Sequence, residues 1–111
     1  MTVELSGWYI LLGRLPVPCR ELTVWARWMM TSDGEASVVK QEHVGEAWVS
    51  TVFLGRAQFG SDPDTPLLFE TMIFGLDETP RHQERCATWD DAEVMHERAV
   101  AIAKEAVAAP K

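Results

Sequence analysis

Apolar and polar positions are most informative in the segment 47–54. In a strand, Ala47, Val49, Thr51 and Phe53 share one side, and Trp48, Ser50, Val52 and Leu54 the other. Both sides are largely apolar, and the residues are β-branched or aromatic. The pattern therefore predicts a central strand with a layer on each face. Upstream, Val38 and Val39 open a partner strand, and Gly45 beside Glu46 is the natural hairpin turn. The run "PLLFETMIFG" at 66–75 predicts a further strand. Leu68, Glu70, Met72 and Phe74 fall on one face, Leu67, Phe69, Thr71 and Ile73 on the other. "WYILL" at 8–12 is a shorter strand candidate, and "RLPVPC" after it is extended, because each proline restricts its predecessor.

Helical spacing occurs twice. Leu22, Trp25, Ala26 and Met29 form an i, i+3, i+4, i+7 stripe. An alternating pattern through Leu22, Val24, Ala26, Trp28 and Met30 also exists, but the helical set concentrates bulk on one face. Ser32-Asp33-Gly34 stops this helix. Thr88 is a good N-cap for a second, longer helix with Asp91 at its third position. Its inward stripe is Trp89, Ala92, Met95, Ala99, Ile102, Ala103 and Ala106. The segments 55–66 and 75–87 are left as loop or irregular chain, the first with two Gly, two Pro and two Asp and hence the most adaptable. These elements predict one α+β domain over 1–111. An antiparallel sheet of three to four strands packs with two helices, at about 20–31 and 89–108.

The length of 111 residues suits one domain, and 47% hydrophobic residues suffice for a modest core. No run approaches the roughly 20 apolar residues that span a bilayer, and no signal-like segment opens the chain. A cytoplasmic protein is expected, with Cys19 and Cys86 as free thiols. The net charge of −7 is uneven: residues 57–97 hold ten acids and two bases, whereas 1–56 are close to neutral. Such a block argues against direct nucleic-acid binding and suits a basic partner, including one that itself grips nucleic acid. The plainer meaning is solubility. Five tryptophans are many for this length; core packing accounts for most, with one or two available as interface anchors or for a homodimer contact.

Candidate chemistry is sparse. Glu70 stands among apolar neighbours. If covered by a helix it needs a partner such as Arg27 or a histidine; otherwise it lies near an open edge or in a structural ion pair. Glu93 and His96 make an E-x-x-H, a spacing found in carboxylate-bridged metal bundles, but no second copy exists, and a helix-surface pair is the simpler reading. His82 lies close to Cys86 without the geometry that a nucleophile needs. Asp62 and Asp64 lack the other calcium-loop ligands, and no phosphate-binding, zinc-finger or Gly-x-Ser-x-Gly motif is present. Neither metal nor cofactor is expected.

The strings "WVSTVFLG", "PLLFETMIFG" and "ERCATWDDAEVMHE", together with the opening "YIL…PVPC…WARW", carry a resemblance. From about Trp8 to about Glu97 the chain resembles a family of small proteins encoded widely in phages and prophages, without an established activity. An Asp-His pair after "FLG" and an aromatic before "ATW" belong to that family's pattern. Here Arg56-Ala57-Gln58 and Cys86 stand in those places, which argues against an enzyme. The resemblance implies a non-catalytic accessory protein that binds and inhibits a bacterial host protein, such as a CRISPR or other immune effector, and the acidic segment with the loop Arg56–Pro66 is the expected contact surface. The expected contact residues are Asp62, Asp64, Asp77, Glu78, Arg56 and Phe59. A small-molecule binder holding a nucleotide signal is the alternative, and a small enzyme using Glu70 ranks below it.

Overall fold

A computed structural model describes residues 6–58, 60–62, 64–75 and 82–108, apart from the side chains of Ser32 and Asp33. Strands β1 (Tyr9–Leu12) and β2 (Leu15–Pro18) form a hairpin of their own. Helix α1 (Leu22–Met29) follows, then a 3-10 helix, Thr31–Ser37. Strands β3 (Val38–Val44), β4 (Ala47–Phe53), β5 (Phe69–Phe74) and β6 (Gln83–Cys86) make a four-stranded antiparallel sheet in chain order. Helix α2 (Trp89–Ala108) closes the described chain. The class is α+β. None of the described helices is long and apolar enough to cross a membrane.

β6 lies in a segment expected to be irregular. "QERC" has no apolar alternation, so nothing in its pattern marks a strand. Its place is set by pairing instead: Glu70 faces Arg85 and Thr71 faces Glu84 across the ladder. An edge strand with polar side chains forms because its partner is already in place. At the other edge, β3 and β4 meet through the two-residue turn Gly45-Glu46, where Gly45 takes φ +57°.

α2 lies across one face of the sheet. Ala47, Val49, Thr51 and Phe53 of β4 and Phe69, Thr71 and Ile73 of β5 are buried beneath it. Ala92, Ala99 and Ala103 are small, so the helix backbone comes close to the strands; Met95 fills the gap between them. Thr88 caps the helix as expected, its Oγ1 accepting the Asp91 N–H at 3.1 Å. The buried stripe is rotated from the expected one. His96 and Val100 are inside, Ile102 is exposed, and Trp89 and Ala106 are half-buried. An aromatic row, Trp28–Phe53–Phe69–Trp89, runs through the end of the core, with centroids 5.6, 5.3 and 6.2 Å apart. Leu11 of the first hairpin joins it, which fixes β1–β2 against the sheet end.

The expectation of a layer on each face of β4 fails. Among the described residues no helix packs across the second face. Trp48, Ser50 and Val52 there are only half-buried. Helix α1 instead sits at the end of β4, where the Trp25 indole N–H donates to Gly55 O at 2.9 Å.

Candidate functional site

The open face is built by strand alternation. Register places His43 beside Trp48 and Trp48 beside Phe74, Gln41 and Met72 beside Ser50, and Glu70 beside Val52 and Arg85. The result is an apolar strip of Trp48, Val52, Met72 and Phe74 between two polar margins. The His43 ring tilts against Trp48 at 4.4 Å between centroids. Glu70 belongs to this face. Its Oε2 accepts Gln83 Nε2 at 2.6 Å and Arg85 Nε at 2.8 Å. The partner is therefore Arg85 of the neighbouring strand, not Arg27 or a histidine, and Glu70 forms a structural ion pair.

Among the described residues, several acids of the acidic segment are paired with bases. Glu84 pairs with Arg98, Glu93 with Arg14 at 3.4 Å, and Glu97 with Lys40 at 3.1 Å. Bases from outside the linear block thus pair with three of its ten acids. Asp62 and Asp64 remain exposed in the connection between β4 and β5. That connection is more ordered than its composition suggested. Ser61 Oγ donates to Gln58 O and accepts Leu67 N–H, Thr65 N–H reaches Asp62 O, and Asp62 Oδ1 accepts Asp64 N–H. Arg56 is exposed, with its guanidinium 4.5 Å from the Trp8 ring centroid. Phe59, Asp77 and Glu78 lie outside the described residues. Gly75, from which the chain continues toward Asp77, stands at the opposite end of β5 from Asp62 and Asp64.

The buried face holds a polar chain. Thr71 Oγ1 lies 2.5 Å from Thr51 Oγ1, which lies 2.7 Å from His96 Nδ1. His96 Nε2 lies 2.9 Å from Glu42 Oε1. Glu42 in turn is 3.7 Å from Lys40. One proton arrangement satisfies every member. Nε2–H donates to the Glu42 carboxylate, Thr51 O–H donates to Nδ1, and Thr71 O–H donates to Thr51. The His96 hydrogen bond, followed by the Lys40 charge, holds the Glu42 carboxyl below its ordinary value. Hydroxyl, imidazole and carboxylate stand in the order of a hydrolase triad. Yet Thr51, Thr71 and His96 are 0% exposed, so no substrate carbonyl can reach the hydroxyl. His96 is thus a core histidine, not half of a helix-surface pair with Glu93, which instead accepts the Trp89 indole N–H at 2.6 Å. The signal available in sequence was the pair of threonines at inward positions of both central strands.

Cys19 and Cys86 are free. Burial pushes the Cys86 thiol up to about 11, the opposite of an activated nucleophile. His82 and Cys86 are separated by about 13 Å of extended chain. Among the described residues no group of three or more His, Cys, Asp or Glu could hold a metal ion.

On the helix side, a cleft of about 270 Å³ opens between α2, the start of β3 and the tip of the β1–β2 hairpin. Arg14, Val39, Lys40, Trp89, Glu93 and Glu97 line it.

No protein family, curated protein or solved structure matches the chain.

Proposed function

We propose that the chain is a non-catalytic binding protein that docks on a basic bacterial protein through the open face of its sheet and blocks it. The observation that carries this reading is the apolar strip Trp48–Val52–Met72–Phe74, left without a covering layer among the described residues. The four strands, four to seven residues long and about 4.8 Å apart, present roughly 400 Å² in all, of which the strip is the part on the two central strands. A standard interface buries about 800 Å² per partner, so the strip supplies a centre and needs a rim. We assign that rim to Arg56, Asp62 and Asp64, which are exposed in the connection before β5.

The partner's chemistry follows from charge. A chain of net charge −7 favours encounter with a basic surface and disfavours nucleic acid itself. A nucleic-acid-gripping effector of bacterial immunity, CRISPR effectors included, has such a surface. The resemblance to phage and prophage proteins supports that context, inside the cytoplasm of a bacterial host. The test is affinity capture from bacterial lysate with the tagged chain, followed by a nucleic-acid binding assay of the purified partner. One stoichiometric basic partner, inhibited by the chain and lost with Trp48→Ser/Met72→Ser, is the expected result. Capture unaffected by that variant, or by Asp62→Lys/Asp64→Lys, overturns the assignment of the face or of its rim. An empty capture overturns the inhibitor reading.

A further inference from the structure

β3 is the terminal strand of the sheet, so among the described residues one of its edges is unpaired. The hairpin turn fixes which groups face that edge. Gly45 and Glu46 form a two-residue turn with Gly45 at φ +57°, so the flanking pair Val44 and Ala47 exchanges backbone hydrogen bonds. By alternation, Val44, Glu42 and Lys40 bond inward to β4, and Gln41 and His43 turn their backbone N–H and C=O outward. The bulge between Val38 and Lys40 ends the regular stretch at Lys40. Lys40 and Glu42 stand on the helix side, where Lys40 meets Glu97 at 3.1 Å and Glu42 meets His96 at 2.9 Å. Gln41 and His43 stand on the open side, beside Ser50 and Trp48. An open edge of this kind is a template for another strand.

We propose that the edge of β3 pairs with β3 of a second copy of this chain, antiparallel and centred on Gln41. The charges select both the partner and the register. Self-pairing must join outward groups to outward groups, and three such registers keep most of β3 paired, centred on Lys40, Gln41 or Glu42. Centring on Lys40 sets Lys40 against Lys40, and centring on Glu42 sets Glu42 against Glu42, like charges directly opposite. Centring on Gln41 instead sets each Lys40 against Glu42 of the other copy, twice by the two-fold symmetry. These are non-hydrogen-bonded pairs, in which side chains approach most closely. Both groups are within reach: the Lys40 side chain is 53% exposed, and among the described residues Glu42 Oε2 takes no hydrogen bond from protein. Only a strand with the reverse order of charges gains the backbone bonds and both ion pairs, and β3 itself is such a strand. The contact closes on itself, because the two-fold axis uses up both β3 edges, and the other edge strand, β6, is four residues long and polar. Both open faces then look the same way, which gives the docking reading a second apolar strip. The pairing itself does not rest on that reading.

Sedimentation velocity over a micromolar-to-millimolar concentration series tests the pairing. A reversible rise from one chain mass to two is expected, weak because an edge contact falls at the low end of interface areas. Lys40→Glu sets like charges opposite in both pairs and weakens the dimer about tenfold. Gln41→Cys reads the register without touching a charge. The Cα atoms of a hydrogen-bonded pair are about 5.5 Å apart, within disulfide reach, so mild oxidation links the two chains. The parent chain is the control for Cys19 and Cys86. His43→Cys does not link, because its twin lies about 13 Å away along the other strand. A chain that stays monomeric throughout, a dimer equally tight in Lys40→Glu, or linking of His43→Cys as readily as of Gln41→Cys overturns the proposal. Self-association that survives Lys40→Glu and is lost in Trp48→Ser/Met72→Ser belongs to the open face and likewise overturns the edge contact.

Discussion

Thr51→Val tests whether the buried polar chain is a structural element. The two side chains are nearly isosteric, so packing beneath α2 is kept while one hydroxyl is lost. Two short contacts disappear with it, to Thr71 at 2.5 Å and to His96 at 2.7 Å. The groups left behind, the Thr71 hydroxyl and His96 Nδ1, belong to residues 0% exposed, beyond the reach of bulk water. Each stranded buried group costs about 1–3 kcal/mol, and the new methyl returns up to about 0.8 kcal/mol. The net loss is about 1–6 kcal/mol, equivalent to roughly 4–24 °C in Tm at ~4 °C per kcal/mol. Urea unfolding followed by tryptophan fluorescence measures it, with an unchanged m-value showing that the unfolded reference is the same. Thr51→Val/Thr71→Val strands one group fewer, so the double variant loses about 1–2 kcal/mol less than the sum of the singles. A loss below about 0.5 kcal/mol, or strict additivity, would refute the reasoning.

Glu42 gives this chain a pH dependence. Its folded carboxyl titrates below the ordinary value of 4.5, so the unfolded state binds its proton first. The stability it contributes is present above 4.5 and is lost as pH falls through the lower folded value; Glu42→Gln flattens the acid limb of a Tm–pH profile. Gly75→Ala destabilises by more than 1 kcal/mol in the same urea assay, because φ is +89° and a Cβ would lie 2.5 Å from Glu46 O. Cys86, with its thiol raised from 9.0 to about 11, reacts with iodoacetamide near neutrality about tenfold more slowly than an unperturbed cysteine, as timed by mass spectrometry.

Several of these features were legible before the structure. Alternation alone assigned Thr51 and Thr71 to the same faces as Val49 and Phe69, and those faces are the buried ones. Thr88 announced the start of α2. Other features depend on pairing between distant segments, which a local pattern does not encode. Glu70 was visible as a charge in a strand, but its partner lies in β6, whose polar sequence resembles a loop. His96 sits beside Met95 on the helix, and a small rotation of the buried stripe decides which neighbours go inside. The acidic block was real as a count. Its surface meaning changed because Arg14, Lys40 and Arg98 arrive from elsewhere to pair with Glu93, Glu97 and Glu84. The open second face was missed for a related reason: Trp48 and Val52 look the same in sequence whether a layer covers them or not.

The order of elements has a consequence for synthesis. The four strands of the sheet precede α2, so the ribosome delivers the whole meander before the helix that covers it. At about 5–20 residues per second, the twenty residues of α2 take about 1–4 s to follow. During that interval the nascent chain carries an apolar surface on both sides of the sheet, Val49, Phe69 and Ile73 on one and Trp48, Met72 and Phe74 on the other. Until α2 packs, such a meander exposes apolar surface on both sides, the condition in which an unfinished chain is most open to association.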